Sequence, residues 1–200
     1  MSKQVEFFYD FTSPTAYLAW RRLPEMLKRT GATVKYRPMF LGGVMQTTGN
    51  RPPGMVAPKG KWMAADLQRW ARRFDTPFKP NPHFPMMTLM VQRAAQEWVD
   101  QPDFERYLAT IFNAAWQDQK NIADKAVLAE VLTAVGYSPE AFFAAAENPA
   151  NKEKLKATTD EAVERGVFGA PTFFVQTPDG EEMHFGQDRL DFVEEALMRA

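Results

Sequence analysis

Residues 5–38 read VEFFYDFTSPTAYLAWRRLPEMLKRTGATVKYRP, and this stretch decides the fold. Residues 5–11 are dense in aromatic side chains, the pattern of a short buried strand. Thr12-Ser13-Pro14 interrupts it, with serine a favoured helix cap and proline well tolerated at the first helical position. Ala16, Trp20, Leu23 and Leu27 then follow at helical spacing on one face, and Gly31 is a stop signal. Residues 33–36 form a second β-branched run, ended by Pro38. The whole is a β-α-β unit, whose parallel strands require a right-handed crossover.

Outward from this unit the character changes. Residues 41–61 are rich in Gly and Pro, with QTTGNRPPG at their centre, and are expected as an ordered loop or connector. Helical patterns follow over residues 62–74, 85–99, 103–117, 124–135, 139–147 and 151–165. Strand character returns at 172–175, the turn Thr177-Pro178-Asp179-Gly180 follows, and 182–185 complete a hairpin. A final helix over 190–198 has Asp188 as its expected cap. Neither end piece has a complete core alone, so both belong to one four-stranded sheet. The order βαβ, helical block, ββα predicts an α/β, thioredoxin-like domain built from residues 1–45 and 159–200, with residues 46–158 as an all-helical insertion.

Composition narrows the function. The chain has no cysteine, which removes disulfide exchange, thiol nucleophiles and thiolate metal sites. His83 and His184 lie far apart, so no metal site is expected; each is read as a surface or strand histidine. A net charge of −1 leaves no electrostatic footprint for nucleic acid or an anionic membrane. No window approaches the roughly 18 apolar residues of a membrane span, and the first residues lack the pattern of a signal peptide. A soluble, cytoplasmic protein is expected.

In a thioredoxin-like layout, chemistry sits at the turn from the first strand into the first helix. Unpaired N–H groups and the positive end of the helix dipole there favour an anion such as a thiolate. This chain places Ser13 in that turn. A serine hydroxyl cannot exchange disulfides, but it can donate a hydrogen bond to a ligand thiolate and lower that thiol's pKa. Capping the helix is the plainer role for the same residue. The second signal is Gly169-Ala170-Pro171-Thr172 at the start of the third strand. A proline there removes a ladder donor, and a cis bond before it would expose the preceding backbone to an extended ligand, although ordinary strand starters are trans.

FYDFTSPTAYLA (8–19), NRPPGMVAPKG (50–60), DLQRWA (66–71), VFGAPTFFV (167–175) and FGQDRLDFVEEAL (185–197) together resemble the 2-hydroxychromene-2-carboxylate isomerase family. That family lies within the DsbA-like, kappa-class glutathione transferase group. The resemblance implies glutathione as cofactor, a small aromatic substrate, usually a homodimer, and work in aromatic-compound degradation such as naphthalene catabolism. It implies that Ser13 holds the glutathione sulfur as thiolate and that the Ala170 backbone pairs with the cysteine part of glutathione. It also raises the expectation of a cis Ala170–Pro171 bond.

The resemblance further implies binding roles for Asn50 and Lys59, for Asp66 on the following helix, and for Gln187, Asp188 and Arg189 at the γ-glutamyl end. Each has a plainer alternative. Asn50 shapes a turn, Lys59 is a solvated charge, Asp66 is a cap or surface residue, Asp188 caps the last helix, and Arg189 pairs with an acid such as Asp191. The implied activity is glutathione-dependent isomerisation of 2-hydroxychromene-2-carboxylate, or of a related intermediate, to trans-o-hydroxybenzylidenepyruvate. The alternatives are a kappa-like glutathione transferase or peroxidase, and a non-catalytic glutathione- or peptide-binding module. Residues 79–90, with their prolines, are where substrate selectivity is expected, and Thr15 and Arg51 interrupt the motifs near the site.

Overall fold

The computed structural model describes residues 3–200. β1 (Gln4–Tyr9), α1 (Pro14–Thr30) and β2 (Thr33–Pro38) form the expected unit, with β1 and β2 parallel. The first strand stops at Tyr9 because the chain turns at once: the Ser13 N–H donates to the Asp10 carbonyl at 2.9 Å. Phe11 has left the sheet, and its carbonyl accepts the Trp116 indole N–H at 2.9 Å. The first helix starts on Ser13, whose hydroxyl accepts the Ala16 N–H. It ends on Gly31, whose φ of 69° is the left-handed conformation that glycine adopts without steric cost.

β3 (Thr172–Thr177) and β4 (Gly180–Phe185) make the expected hairpin. β3 runs antiparallel to β1, Phe173 opposite Phe7, giving the order β2-β1-β3-β4. The two central strands are buried on both faces. On one face Val5, Phe7, Tyr9, Phe173 and Val175 join α1 and the helical block in one continuous core. Phe7 stacks on both Tyr9 and Phe173, with centroids 5.2 and 5.1 Å apart; each such pair adds about 0.5–1.5 kcal/mol beyond burial. On the other face Phe8 and Phe174 meet Met39, Leu41, Val44 and Val167.

The Gly- and Pro-rich stretch differs from the expected loop. It contains α2 (Leu41–Thr48), a 3-10 turn over Pro53–Met55, and the start of α3 (Ala57–Arg73). One tertiary contact supports the start of α2 against its weak propensity. The Asp10 carboxyl group accepts the Leu41 N–H at 2.8 Å, an acceptor supplied to the helix start by the residue after β1. The Phe40 ring lies over the glycine pair, where a Cβ on Gly42 would stand 2.7 Å from its Cζ. The remaining elements are α4 (Leu89–Trp98), α5 (Phe104–Trp116), α6 (Lys125–Ala134), α7 (Pro139–Glu147), α8 (Pro149–Glu164) and α9 (Leu190–Arg199). α4 begins at Leu89 rather than 85 because the preceding residues are held by the site. Met86 N–H donates to the Thr12 hydroxyl, and the Thr88 hydroxyl donates to Asp10.

A charge cluster ties the back of the sheet to α8. The Glu6 carboxylate meets Arg165 at 2.5 Å, Arg37 at 2.6 Å and Lys35 at 3.0 Å, while Arg165 also binds Glu181. Burial pushes the Glu6 pKa up, but hydrogen bonds from Lys35 and Arg165 and the charge of Arg37 outweigh it and hold the group at about 2. An unfolded glutamate titrates near about 4.3. The stabilisation is therefore complete above that pH and is lost as pH falls through the folded value. Glu6→Gln is expected to lose at most about 3 kcal/mol at pH 7, with the difference from wild type shrinking toward pH 2. Urea midpoints measured across that range check this; a constant difference refutes it.

Candidate active site

Ser13 sits at the start of α1, 4% exposed, with no acidic residue in the first helical turn to oppose an anion. Its hydroxyl accepts the Ala16 N–H at 3.1 Å, lies 2.8 Å from the Thr15 hydroxyl, and reaches the Ala170 carbonyl at 3.1 Å. Thr15 donates to the same carbonyl at 2.9 Å. The Ala170–Pro171 peptide is cis. Serine, threonine and the proline loop thus meet across 157 residues of sequence. Capping and facing the proline loop are one position of one side chain, not competing roles.

The loop extends this constellation in two directions. Asn50 donates from Nδ2 to the Phe168 carbonyl at 2.7 Å and accepts the Arg51 N–H on Oδ1, so it braces the segment that carries Ala170. On the other side the Gly186 N–H donates to the Pro171 carbonyl at 3.0 Å, which brings Gln187 and Asp188 beside the proline. Gln187, Asp188 and Arg189 form a 3-10 turn, and α9 starts after Arg189 with no side-chain cap. Asp188 therefore does not cap α9; its carboxylate turns back over Gly186. The guanidinium of Arg189 pairs with Asp188 at 2.7 Å, not with Asp191. These corrections share one cause: the extra turn rotates both side chains away from the helix start.

Two expected residues stand apart from this cluster. Asp66 accepts the Trp70 indole N–H at 3.0 Å and the Arg69 guanidinium at 3.3 Å, within α3. Lys59 is exposed in the first turn of α3. His83 is exposed in the loop before α4, and His184 lies in β4. The loop through residues 79–90 does reach the site, through the Met86–Thr12 bond, and leaves Phe84 and Met87 exposed beside it. A cavity of about 590 Å³ lies elsewhere, between α2, α4 and α8, and none of the expected residues line it. Gln187 and Asp188 line a smaller one of about 150 Å³ with Arg22, Trp70 and Phe74. Chemistry rather than size locates the site: neither cavity is lined by Ser13, Thr15, Ala170 or Pro171, and the smaller one shares just Gln187 and Asp188 with the turn that follows β4.

Gly186 makes the turn-back possible. Its φ is 105°, and an added Cβ would stand 2.4 Å from the Asp188 Oδ1. Gly186→Ala is expected to cost about 1–3 kcal/mol in backbone strain and to displace the Asp188 carboxylate. A denaturant midpoint equal to wild type would show that the strand end relaxes freely.

Asp10 is the structural residue that sequence reading passed over. It is fully buried and accepts from the Thr12 N–H at 3.0 Å, the Thr88 hydroxyl at 2.6 Å and the Leu41 N–H at 2.8 Å. Burial pushes its pKa above the usual carboxylate range, opposed by these hydrogen bonds. It fastens the turn before Ser13 to α2 and to the loop before α4. Its one signal in the sequence is an acid inside an aromatic run, FFYDF.

Fold and geometry together define a class: a thioredoxin-type domain whose helix-start position holds a buried hydroxyl against a cis-proline loop. The chain belongs to the family of DSBA-like thioredoxin domains, whose model matches residues 4–198. It is 31% identical over 207 residues to 2-hydroxychromene-2-carboxylate isomerase of Sphingobium xenophagum, covering 99% of this chain and 100% of that one. It is 30% identical over 210 residues to glutathione S-transferase kappa 1 of Caenorhabditis elegans, covering 98% and 91%. A solved structure of 2-hydroxychromene-2-carboxylate isomerase superposes with a TM-score of 0.86 at 29% identity, covering 98% of this chain and 95% of that one. By these matches the chain is an enzyme, with isomerases among its full-length relatives.

Proposed function

We propose that this enzyme is a glutathione-dependent isomerase acting on 2-hydroxychromene-2-carboxylate or a related aromatic-degradation intermediate. The observation that carries this is the Ser13 hydroxyl, held at the α1 start against Ala170–Pro171 in a chain without cysteine. The donor set fits a thiol-bearing peptide: a hydroxyl and a helix N-terminus for the sulfur, a cis-proline backbone for an extended segment, and Asp188 beside it for an ammonium group. When bound, glutathione supplies a thiolate that adds reversibly to a conjugated system, so that a double bond becomes free to rotate and the thiol is regenerated.

The chain's own residues hold and orient. Ser13 keeps its hydroxyl proton and offers it to the sulfur, which favours the thiolate over the thiol. Ala170 presents its backbone to the peptide part, and Asn50 keeps that loop in place through Phe168. Asp188 and Gln187 receive the γ-glutamyl end. Exposed Phe84 and Met87 offer apolar surface to a flat aromatic substrate.

The match to a glutathione S-transferase favours a second reading, in which the same thiolate is consumed by an electrophile. Calorimetric titration with glutathione, with the ultraviolet thiolate absorbance of the complex, comes first. Free thiol is then counted before and after turnover of 2-hydroxychromene-2-carboxylate. Product formed with thiol constant supports the isomerase, and thiol lost in proportion to product supports the transferase. Absence of binding at millimolar glutathione overturns both.

A further inference from the structure

Ser13, Thr15 and the Ala170 carbonyl make three contacts with each other, of 2.8, 2.9 and 3.1 Å, but the two hydroxyls carry only two protons. One contact is therefore always surplus. The Ser13 oxygen is already occupied as acceptor by the Ala16 N–H, so its proton is the part that is free to be redirected. All three groups are buried: Thr15 and Ala170 are each 8% exposed. A carbonyl in such a place loses stability if its donor leaves.

We infer that Thr15 is a positioning residue that releases the Ser13 proton for a ligand sulfur by keeping the Ala170 carbonyl satisfied. This rests on the proposed role of Ser13 as donor to the glutathione thiolate. In the free protein, the Thr15 hydroxyl donates to Ala170 and Ser13 donates to either neighbour. When a thiolate arrives, the Ser13 O–H rotates to the sulfur; no covalent bond changes, and the Thr15–Ala170 bond persists. Without the Thr15 hydroxyl, the same rotation would strip a buried carbonyl of its hydroxyl donor, and the cost would fall on thiolate formation. Thr15 also anchors the serine geometrically, since both hydroxyls converge on one acceptor that belongs to the cis-proline loop.

The test is a pH titration of the ultraviolet thiolate absorbance of the glutathione complex, in wild type, Thr15→Val, Thr15→Ser and Ser13→Ala. Thr15→Val preserves shape and removes the hydroxyl, and is expected to raise the pKa of the bound thiol by about one unit, a tenfold loss of thiolate at fixed low pH. Thr15→Ser keeps the hydroxyl and is expected to titrate as wild type. Thermal midpoints of the two variants report whether either is misfolded, and Thr15→Ser keeps the outcome readable if Thr15→Val is. A wild-type titration in Thr15→Val, with a shifted one in Ser13→Ala, overturns the role of Thr15 and leaves that of Ser13 standing. Equal shifts in both Thr15 variants overturn it too, since side-chain size rather than the hydroxyl would then matter. No shift in Ser13→Ala removes the thiolate reading itself, and the role of Thr15 falls with it.

Discussion

Ser13→Ala is expected to slow turnover roughly ten- to a hundredfold while leaving the fold intact. A hydrogen bond to a charged partner contributes about 1.5–3 kcal/mol, and each 1.4 kcal/mol corresponds to about a factor of ten. Stability should fall by about 1 kcal/mol, because the serine is also the N-cap that receives the Ala16 N–H. The two losses are separable. Thermal or denaturant unfolding reads the cap, and the pH–rate profile reads the thiolate. The acidic limb of that profile is expected to move to higher pH in the variant, since the bound thiol loses its donor. A profile that stays in place, with rate unchanged, would reduce Ser13 to a cap.

Asp10→Ala is expected to be strongly destabilising, with a loss on the order of 3 kcal/mol. The carboxyl group satisfies three donors that have no other partner among the described residues: the Thr12 N–H, the Leu41 N–H and the Thr88 hydroxyl. Each buried donor left alone costs about 1–3 kcal/mol, offset by relief of the buried carboxyl. Asp10→Asn should fall between, because an amide keeps one accepting oxygen but turns an N–H₂ toward a remaining donor. Since Asp10 ties the Thr12 turn, α2 and the Thr88 loop together, glutathione affinity should fall with stability. Urea unfolding of the three proteins tests the order. An asparagine variant as stable as wild type would show that the carboxylate's charge and second acceptor contribute nothing.

Some of this was legible in the chain and some was not, for reasons visible at particular residues. The Ser13-Pro14 start and the Gly31 stop of α1 are local devices: each needs only its own backbone conformation and its nearest neighbours, so they read directly. The Ser138-Pro139 start of α7 reads for the same reason. α2 did not, because its start is completed by a carboxyl group 31 residues away. The position of Ser13 was legible, but its partner was not. Nothing between Thr15 and Ala170 announces that their hydroxyl and carbonyl will meet. Asp188 is legible as a candidate, but its position outside the start of α9 is not, because a 3-10 turn intervenes.

By itself the sequence determined the α/β layout, the helix-start serine, the absence of thiol chemistry in the chain and the proline that opens β3, since periodicity, capping and composition are properties of neighbours. Only the tertiary structure decided that Asp10 completes α2 and that Thr15 shares one carbonyl with Ser13. Hydrogen bonds act over about 3 Å, and which groups come that close is decided when the two ends of the chain close one sheet.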